Sequence, residues 1–243
     1  MKGRLSIYCD FDGTITTKDS VDFLLEHVAA DGWKQIEEKW ERGEIGSRDC
    51  MAQQVLLFEG GWAAMENALT KIVVDPTFKN FALWCEENCI DLHVVSDGID
   101  RTIDYIIGRE GIRVATITAN ALVEEDSSTV SLEFPFASRT GNCASGVCKC
   151  EILLKGKVPS NKRVFIGDGR SDFCCSGTAD VLFAKHKLAK HCAENQIPYT
   201  EFADFNDIRE SLTKTFALTP SSNCQDSLEE GGEGVRLGQQ PAI

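Results

Sequence analysis

The apolar run Leu5-Ser6-Ile7-Tyr8-Cys9 breaks at Asp10-Phe11-Asp12-Gly13-Thr14. A run that short and that apolar has the length of a buried strand rather than of a helix. It ends in two carboxylates two residues apart, with a Gly-Thr turn behind them. In an open α/β sheet, ligands bind in the crevice beyond the carboxyl ends of the strands. The pair therefore falls where such a fold does its chemistry. Asp10 can attack an electrophile, and Asp12 can carry a proton to and from a leaving group.

Further strand-like runs follow, separated by helical periodicity. Residues 90–95, 163–166, 180–184 and 198–202 read as strands. Helices are expected after Asp75-Pro76 (an N-cap acid and an N1 proline), through Ile103, Ile106 and Ile107, and over 147–156, 187–195 and 205–215. Strands alternating with helices predict an α/β fold, a Rossmann-like, mainly parallel sheet with helices on both faces. Two stretches depart from that rhythm. Residues 16–74 carry only helical spacing, as in Val21, Leu24, Leu25 and Val28 or Trp62, Met65, Leu69 and Ile72, and read as a helical cap insert. Residues 112–136 alternate with period two around the polar turn Glu124–Thr129 and read as a small β-hairpin insert. The catalytic core is then 1–15 plus 75–215. Residues 219–243, rich in Ser, Gln, Glu and Gly, are expected to be a disordered tail.

Three more segments carry chemistry. Ser96-Asp97-Gly98 ends the second strand, and a hydroxyl followed by backbone amides can hold a phosphate oxygen. A serine there is also a common helix N-cap. Lys149 opens the short helix and can supply a fixed positive charge; Lys155, Lys157 and Lys162 compete for that role. Gly167-Asp168-Gly169-Arg170-Ser171-Asp172 follows a buried strand and places two acids four residues apart. Mg²⁺ keeps several waters and needs only one or two protein carboxylates besides a substrate phosphate. Asp168 suits a direct ligand, and Asp172 a supporting position. Each segment has a plainer reading as a cap or turn, but all of them fall at a strand's carboxyl end or a helix start.

Charge and cysteine usage narrow the partners. The formal net charge of −13 opposes nucleic acid and gives an anionic substrate no long-range attraction. No apolar run approaches the ~20 residues of a membrane helix, and the first apolar run, too short for a signal peptide, points to a cytoplasmic protein. Eleven scattered cysteines do not form a disulfide framework, and most are expected to be buried small hydrophobes. Cys143, Cys148 and Cys150 lack the four-ligand spacing of a zinc site. Cys174-Cys175 and Trp33, Trp40, Trp62 and Trp84 are expected in the core, and Arg101 and Arg139 on the solvated surface.

Together the four segments resemble the haloacid dehalogenase superfamily of phosphatases: a DxDGT loop, a Ser after the second strand, a Lys, and a GDGxxD loop, over residues 5–215. The helical insert resembles the cap of the phosphoserine-phosphatase-like branch. The resemblance implies that Asp10 attacks phosphorus and Asp12 is the acid and then the base. It implies Mg²⁺ on Asp10, the Asp12 carbonyl and Asp168, with Asp172 behind. Ser96, Asp97, Gly98 and Lys149 would hold the phosphate of a small phosphorylated metabolite. Asp19, nine residues after Asp10, either meets a substrate amine or caps the helix at Ser20. A different phosphoester, a phosphotransfer to an acceptor, and a non-catalytic scaffold are the rival readings.

Overall fold

The computed structural model describes residues 5–140, 143–156 and 161–217. The tail expected at 219–243, and Lys157, lie outside the described residues. Seven strands form one sheet in the order β4-β3-β2-β1-β5-β6-β7. These are β1 (Leu5–Cys9), β2 (Asp91–Ile99), β3 (Thr116–Glu124), β4 (Val130–Glu133), β5 (Lys162–Gly167), β6 (Val181–Ala184) and β7 (Thr200–Glu201). Every pair is parallel except β3 with β4.

β1 is central because both its faces are apolar. Leu5, Ile7 and Cys9 point into one core and Tyr8 into the other. β5 repeats the alternation, with Val164 and Ile166 on the first side and Phe165 on the second. Strands buried on both faces read as continuous apolar runs, which is why these two are legible in the sequence. On the first face lie α5 (Phe78–Glu87), α6 (Asp100–Arg109) and α9 (Phe205–Phe216); on the second lie α7 (Lys149–Lys155) and α8 (His186–Glu194). From β1 the chain builds β2 on one side, then crosses back to start β5 on the other. The direction of winding reverses at β1, and a ligand crevice opens where winding reverses.

Residues 16–74 hold α1 (Ser20–Val28), α2 (Trp33–Glu41), α3 (Ser47–Val55) and α4 (Gly61–Leu69). Where this segment leaves and rejoins the sheet layer, Thr16 and Val74 form an antiparallel bridge. The hairpin at 112–136 is continuous with the main sheet. β3 first pairs in parallel with β2, His93 opposite Thr116, and only then turns against β4. A half-buried edge strand alternates with period two just as a free hairpin does, so periodicity could not separate them. α5 starts at Phe78, not at Pro76, because Asp75 caps a preceding turn by accepting from Thr77 N–H (2.8 Å). β2 runs through Ser96 to Ile99, so Ser96 is no helix cap.

The four tryptophans are half-buried: Trp33, Trp62 and Trp84 pack against the first core, and Trp40 lies under the Arg170 guanidinium (5.3 Å). Cys175 is buried but Cys174 is exposed. Arg101 is packed over the Trp62 ring at 4.2 Å and paired with Glu124 at 2.9 Å. Among the described residues no helix is long and apolar enough to cross a membrane.

Phe205 closes the first core, 1% exposed, with ring centroids 4.8 Å from Phe78 and 5.2 Å from Phe81. Phe205→Ala should cost about 3–5 kcal/mol, read as a lower urea midpoint at an unchanged m-value.

Candidate active site

Asp10 is placed by the sheet itself, its N–H donating to the Ile166 carbonyl of β5 at 2.9 Å. Its carboxylate is buried and meets Lys149, with Nζ 2.5 Å from Oδ1. The same Nζ reaches Asp172 Oδ1 at 2.6 Å and Ser171 Oγ at 3.3 Å. Lys149 is 0% exposed, so its three donors are spent on these three acceptors. Neither Lys155 nor Lys162 takes that position: Lys155 is exposed beside Glu151 and Lys162 opens β5 exposed; Lys157 is outside the described residues.

Asp172 belongs to the 3₁₀ helix Arg170–Cys175, and its other oxygen accepts from the N–H groups of Asp168 and Gly169, both at 3.0 Å. Both oxygens are thereby committed, and Asp172 acts as the brace of the acidic loop. Asp168 accepts from the Thr14 hydroxyl through Oδ1 at 2.8 Å. Gly13 makes that approach possible. Its φ is +74°, and a β-carbon there would lie 2.7 Å from Asp168 Oδ2. Only glycine adopts such a conformation at no steric cost.

Asp12 points the other way. Its Oδ1 accepts from the Ser20 N–H at the start of α1 (2.7 Å). Its Oδ2 lies against the bare Cα of Gly98: a β-carbon there would fall 2.6 Å from Asp12 Oδ2 and 3.1 Å from Ser96 Oγ. Gly98 N–H donates to Ser96 Oγ at 2.9 Å. Asp19 caps α1, accepting from the N–H groups of Val21 and Asp22. Asp97 is also engaged, its carboxylate accepting from Ser47 Oγ and from Val147 N–H, both at 2.9 Å. The sequence analysis missed Thr14, Ser20, Ser171 and this role of Asp97. Thr14 was visible as part of the turn; Ser20 acts through its backbone N–H, and Ser171 and Asp97 depend on partners 22 and 50 residues away.

Burial raises both aspartates of the first loop, but only Asp10 has the Lys149 ammonium in hydrogen-bond contact. Burial, then the neighbouring Asp19, pushes Asp12 up to about 8, so it holds a proton at neutral pH. Burial and Asp172 push Asp10 up, and Lys149 pulls it back toward the anion. Burial disfavours a charged lysine, but Asp10 and Asp172 outweigh it and hold Lys149 well above the usual lysine range. Oxygens of Asp10, Asp168 and Asp172 all lie within 4.8 Å of one another, the one such metal-capable group among the described residues. Three carboxyl groups gathered around a single ammonium offer a set of hard oxygen ligands, which suits a divalent cation. The thiols of Cys148 and Cys150 touch at 3.4 Å, but among the described residues they belong to no cluster of three or more metal-capable side chains.

Comparison with known proteins agrees with this geometry. The sequence profile of haloacid dehalogenase-like hydrolases matches residues 7–176. The chain is 28% identical over 232 residues to the 2-hydroxy-3-keto-5-methylthiopentenyl-1-phosphate phosphatase of Geobacillus thermodenitrificans, covering 88% of this chain and 98% of that one. It is 28% identical over 227 residues to Pdp3-interacting factor 1 of Schizosaccharomyces pombe, covering 88% and 97%. Among solved structures, a phospho-aspartyl intermediate analogue of phosphoserine phosphatase superposes with a TM-score of 0.66 at 20% identity, over 86% of this chain and 99% of that one.

Lys149→Met would strand Asp10 and Asp172 in the interior. We expect a loss of about 3–5 kcal/mol at neutral pH. The carboxylates are neutral once protonated, so the deficit should shrink as pH falls. Urea titrations of both proteins from pH 8 to pH 5 measure this.

Proposed function

Because the chain belongs to the haloacid dehalogenase-like hydrolase family, we propose that it is a magnesium-dependent phosphatase. On this reading it hydrolyses a small-molecule phosphomonoester through an aspartyl-phosphate on Asp10. The observation that carries the reading is the split between the loop's two acids. Burial raises both, but Asp10 is paired with a buried ammonium at 2.5 Å, whereas Asp12, raised to about 8, accepts from the Ser20 N–H instead. One is kept available as a nucleophile and the other as an acid, two carboxyls assigned opposite roles by their surroundings.

Asp10 attacks phosphorus, and the bond to the ester oxygen breaks. Asp12 gives its proton to that oxygen, so a neutral alcohol leaves. Asp12, now ionised, takes a proton from water as the water attacks the same phosphorus. The acyl-phosphate bond breaks, and Asp10 and inorganic phosphate are released. Lys149, the Ser96 hydroxyl and the amides that follow it offset charge on the equatorial oxygens. Asp10, the Asp12 carbonyl and Asp168 would hold the Mg²⁺, with Asp172 bracing Asp168 from behind. The ion would supply charge neutralisation between the carboxylates and the phosphate. A proton on Asp12 is of use only where a leaving oxygen needs one, which favours ester hydrolysis over dehalogenation.

For the substrate, the leading candidate is 2-hydroxy-3-keto-5-methylthiopentenyl 1-phosphate, after the Geobacillus relative that spans nearly the same length. Phosphoserine, phospho-amines and pyridoxal phosphate are the alternatives.

The test is phosphate release from these esters with Mg²⁺ and with EDTA. Release should require the metal and vanish in Asp10→Asn. Release from no ester by folded protein would instead favour a scaffold. Transfer to an added alcohol in place of water would point to a phosphotransferase.

The acid role of Asp12 sets a pH dependence. Its raised pKa means the required proton is present below about pH 8 and lost above it. The value of kcat/KM should therefore fall on the alkaline side of about pH 8. Asp12→Asn should lose that limb and about 10²–10⁴-fold in rate.

A further inference from the structure

The cysteines divide by surroundings. Cys9, Cys85 and Cys192 are buried among the apolar side chains of the two cores. Cys148, Cys150, Cys174 and Cys175 are instead gathered against one another beside the strand-end site. Cys148 precedes α7 and Cys150 is its second residue, so the pair flanks Lys149, with sulfurs 3.4 Å apart. Cys174 and Cys175 end the 3₁₀ helix that begins at Arg170, with sulfurs 3.9 Å apart. The two pairs meet at Cys150: the Cys174 thiol has both the N–H and the thiol of Cys150 as hydrogen-bond neighbours. Access falls across the cluster. Cys174 is exposed, Cys150 is half-buried, and Cys148 and Cys175 are buried.

Two of these sulfur contacts join near neighbours in sequence. A bond between Cys174 and Cys175, or between Cys148 and Cys150, closes a tight ring through the intervening backbone, and departures from ordinary disulfide geometry store strain. Cys150 and Cys174 come from separate elements, so a bond between them closes no such ring. The same two elements carry two corners of the buried charge cluster. Lys149 is the residue before Cys150, and Asp172 lies two residues before Cys174. Lys149 Nζ and Asp172 Oδ1 are 2.6 Å apart, and neither side chain has any exposure. Sulfurs in hydrogen-bond contact must approach to about 2 Å to bond. A close-packed interior transmits such a shift to its neighbours, which here are Lys149 and Asp172.

We propose that Cys150 and Cys174 are a thiol pair that a peroxide oxidises to a disulfide, and that this bond draws Lys149 and Asp172 out of register with Asp10. The Cys174 thiolate attacks one oxygen of hydrogen peroxide. The O–O bond breaks, leaving a sulfenic acid on Cys174 and a hydroxide that takes up the proton the thiol lost. The Cys150 sulfur then attacks the Cys174 sulfur, and the S–O bond breaks. The hydroxyl leaves with the Cys150 proton as a second water. Two thiols and one peroxide thus become one disulfide and two waters, and a thiol reductant reverses the bond by exchange. The catalytic consequence rests on the phosphatase reading; the bond does not.

Peptide mapping of the full chain tests the bond. The reduced protein is treated with hydrogen peroxide at pH 8, where an exposed thiol is partly ionised. The remaining thiols are then blocked, and the chain is digested with trypsin without reduction. Cleavage after Arg139, Lys149, Lys155, Arg170 and Lys185 puts Cys148, Cys150 and Cys174 on the separate peptides 140–149, 150–155 and 171–185. Peptide 150–155 should appear joined to 171–185, and Cys174→Ser should abolish that species. Cys150→Ser should instead leave on Cys174 a sulfenic acid that dimedone captures. Phosphate release should fall about tenfold or more as the bond forms, the order of loss expected when a site group is misplaced, and should return with dithiothreitol. Cys174→Ser should match the wild type when reduced and keep its rate through the same treatment. The proposal is overturned if 150–155 joins 140–149 instead, if no joined peptide forms, if the joined species survives in Cys174→Ser, or if the linked protein releases phosphate at the reduced rate. If the reduced protein hydrolyses no ester, the phosphatase reading fails while the peptide map still judges the thiol pair.

Discussion

A single buried ammonium organises this molecule. Lys149 Nζ lies between Asp10 and Asp172, with none of the three side chains more than 6% exposed. An ion taken so far from water is tolerated only when its partners return what hydration supplied. Here the return is complete, because all three of its protons have acceptors. The same contacts tie together chain segments that are remote in sequence: the end of β1, the first residue of α7, and the 3₁₀ turn after β5. Asp172 passes the constraint on through two backbone amides to Asp168, and Thr14 returns it to the first loop. The site is a closed ring of charge and hydrogen bonds in which no member can shift alone.

That ring can close only because of the sheet order. With β1 between β2 and β5, the loop bearing Asp10 and Asp12 faces Ser96 on one side and the acidic loop on the other. Asp10 and Asp12, separated by one residue, are thereby turned to different neighbours. Asp10 turns toward a cation, and Asp12 toward the start of α1 and the bare backbone of Gly98. Their different settings follow from that division and from no difference between the side chains themselves.

What could be read from the sequence is what local physics determines. β1 and β5 are legible because burial on both faces makes them uniformly apolar, and the acidic loops because they interrupt those runs. Asp10, Asp12 and Asp168 follow from such interruptions, whereas Lys149 is singled out only by its place at the start of a short helix. The hairpin's membership of the main sheet does not, since pairing partners are long-range information that period-two alternation does not carry. The Trp40 ring was assigned to a core on helical spacing, but it lies under the Arg170 guanidinium instead. The Ser47 and Val147 partners of Asp97, each 50 residues away, leave no mark on its neighbourhood. A carboxylate between serine and glycine after a strand reads as a ligand contact, whereas its side chain is spent on the scaffold.

Burial is graded across the molecule, and the gradient matches the division of labour. The rim of the sheet, where bonds would be made and broken, is held by the most buried side chains. α2 has no fully buried side chain, whereas α3 beside it buries Cys50, Gln54 and Val55. A net charge of −13 means that an anionic ligand is not drawn in from a distance. Its recognition must come at contact range, from one ammonium, a cation and the amides of the rim. A site built that way gains from a cover that excludes water after encounter, because each of those short-range interactions strengthens as the local dielectric falls. The weak burial of α2 is then a requirement of the chemistry. A cover anchored as firmly as α1 would deepen the pocket but could not release what forms inside it.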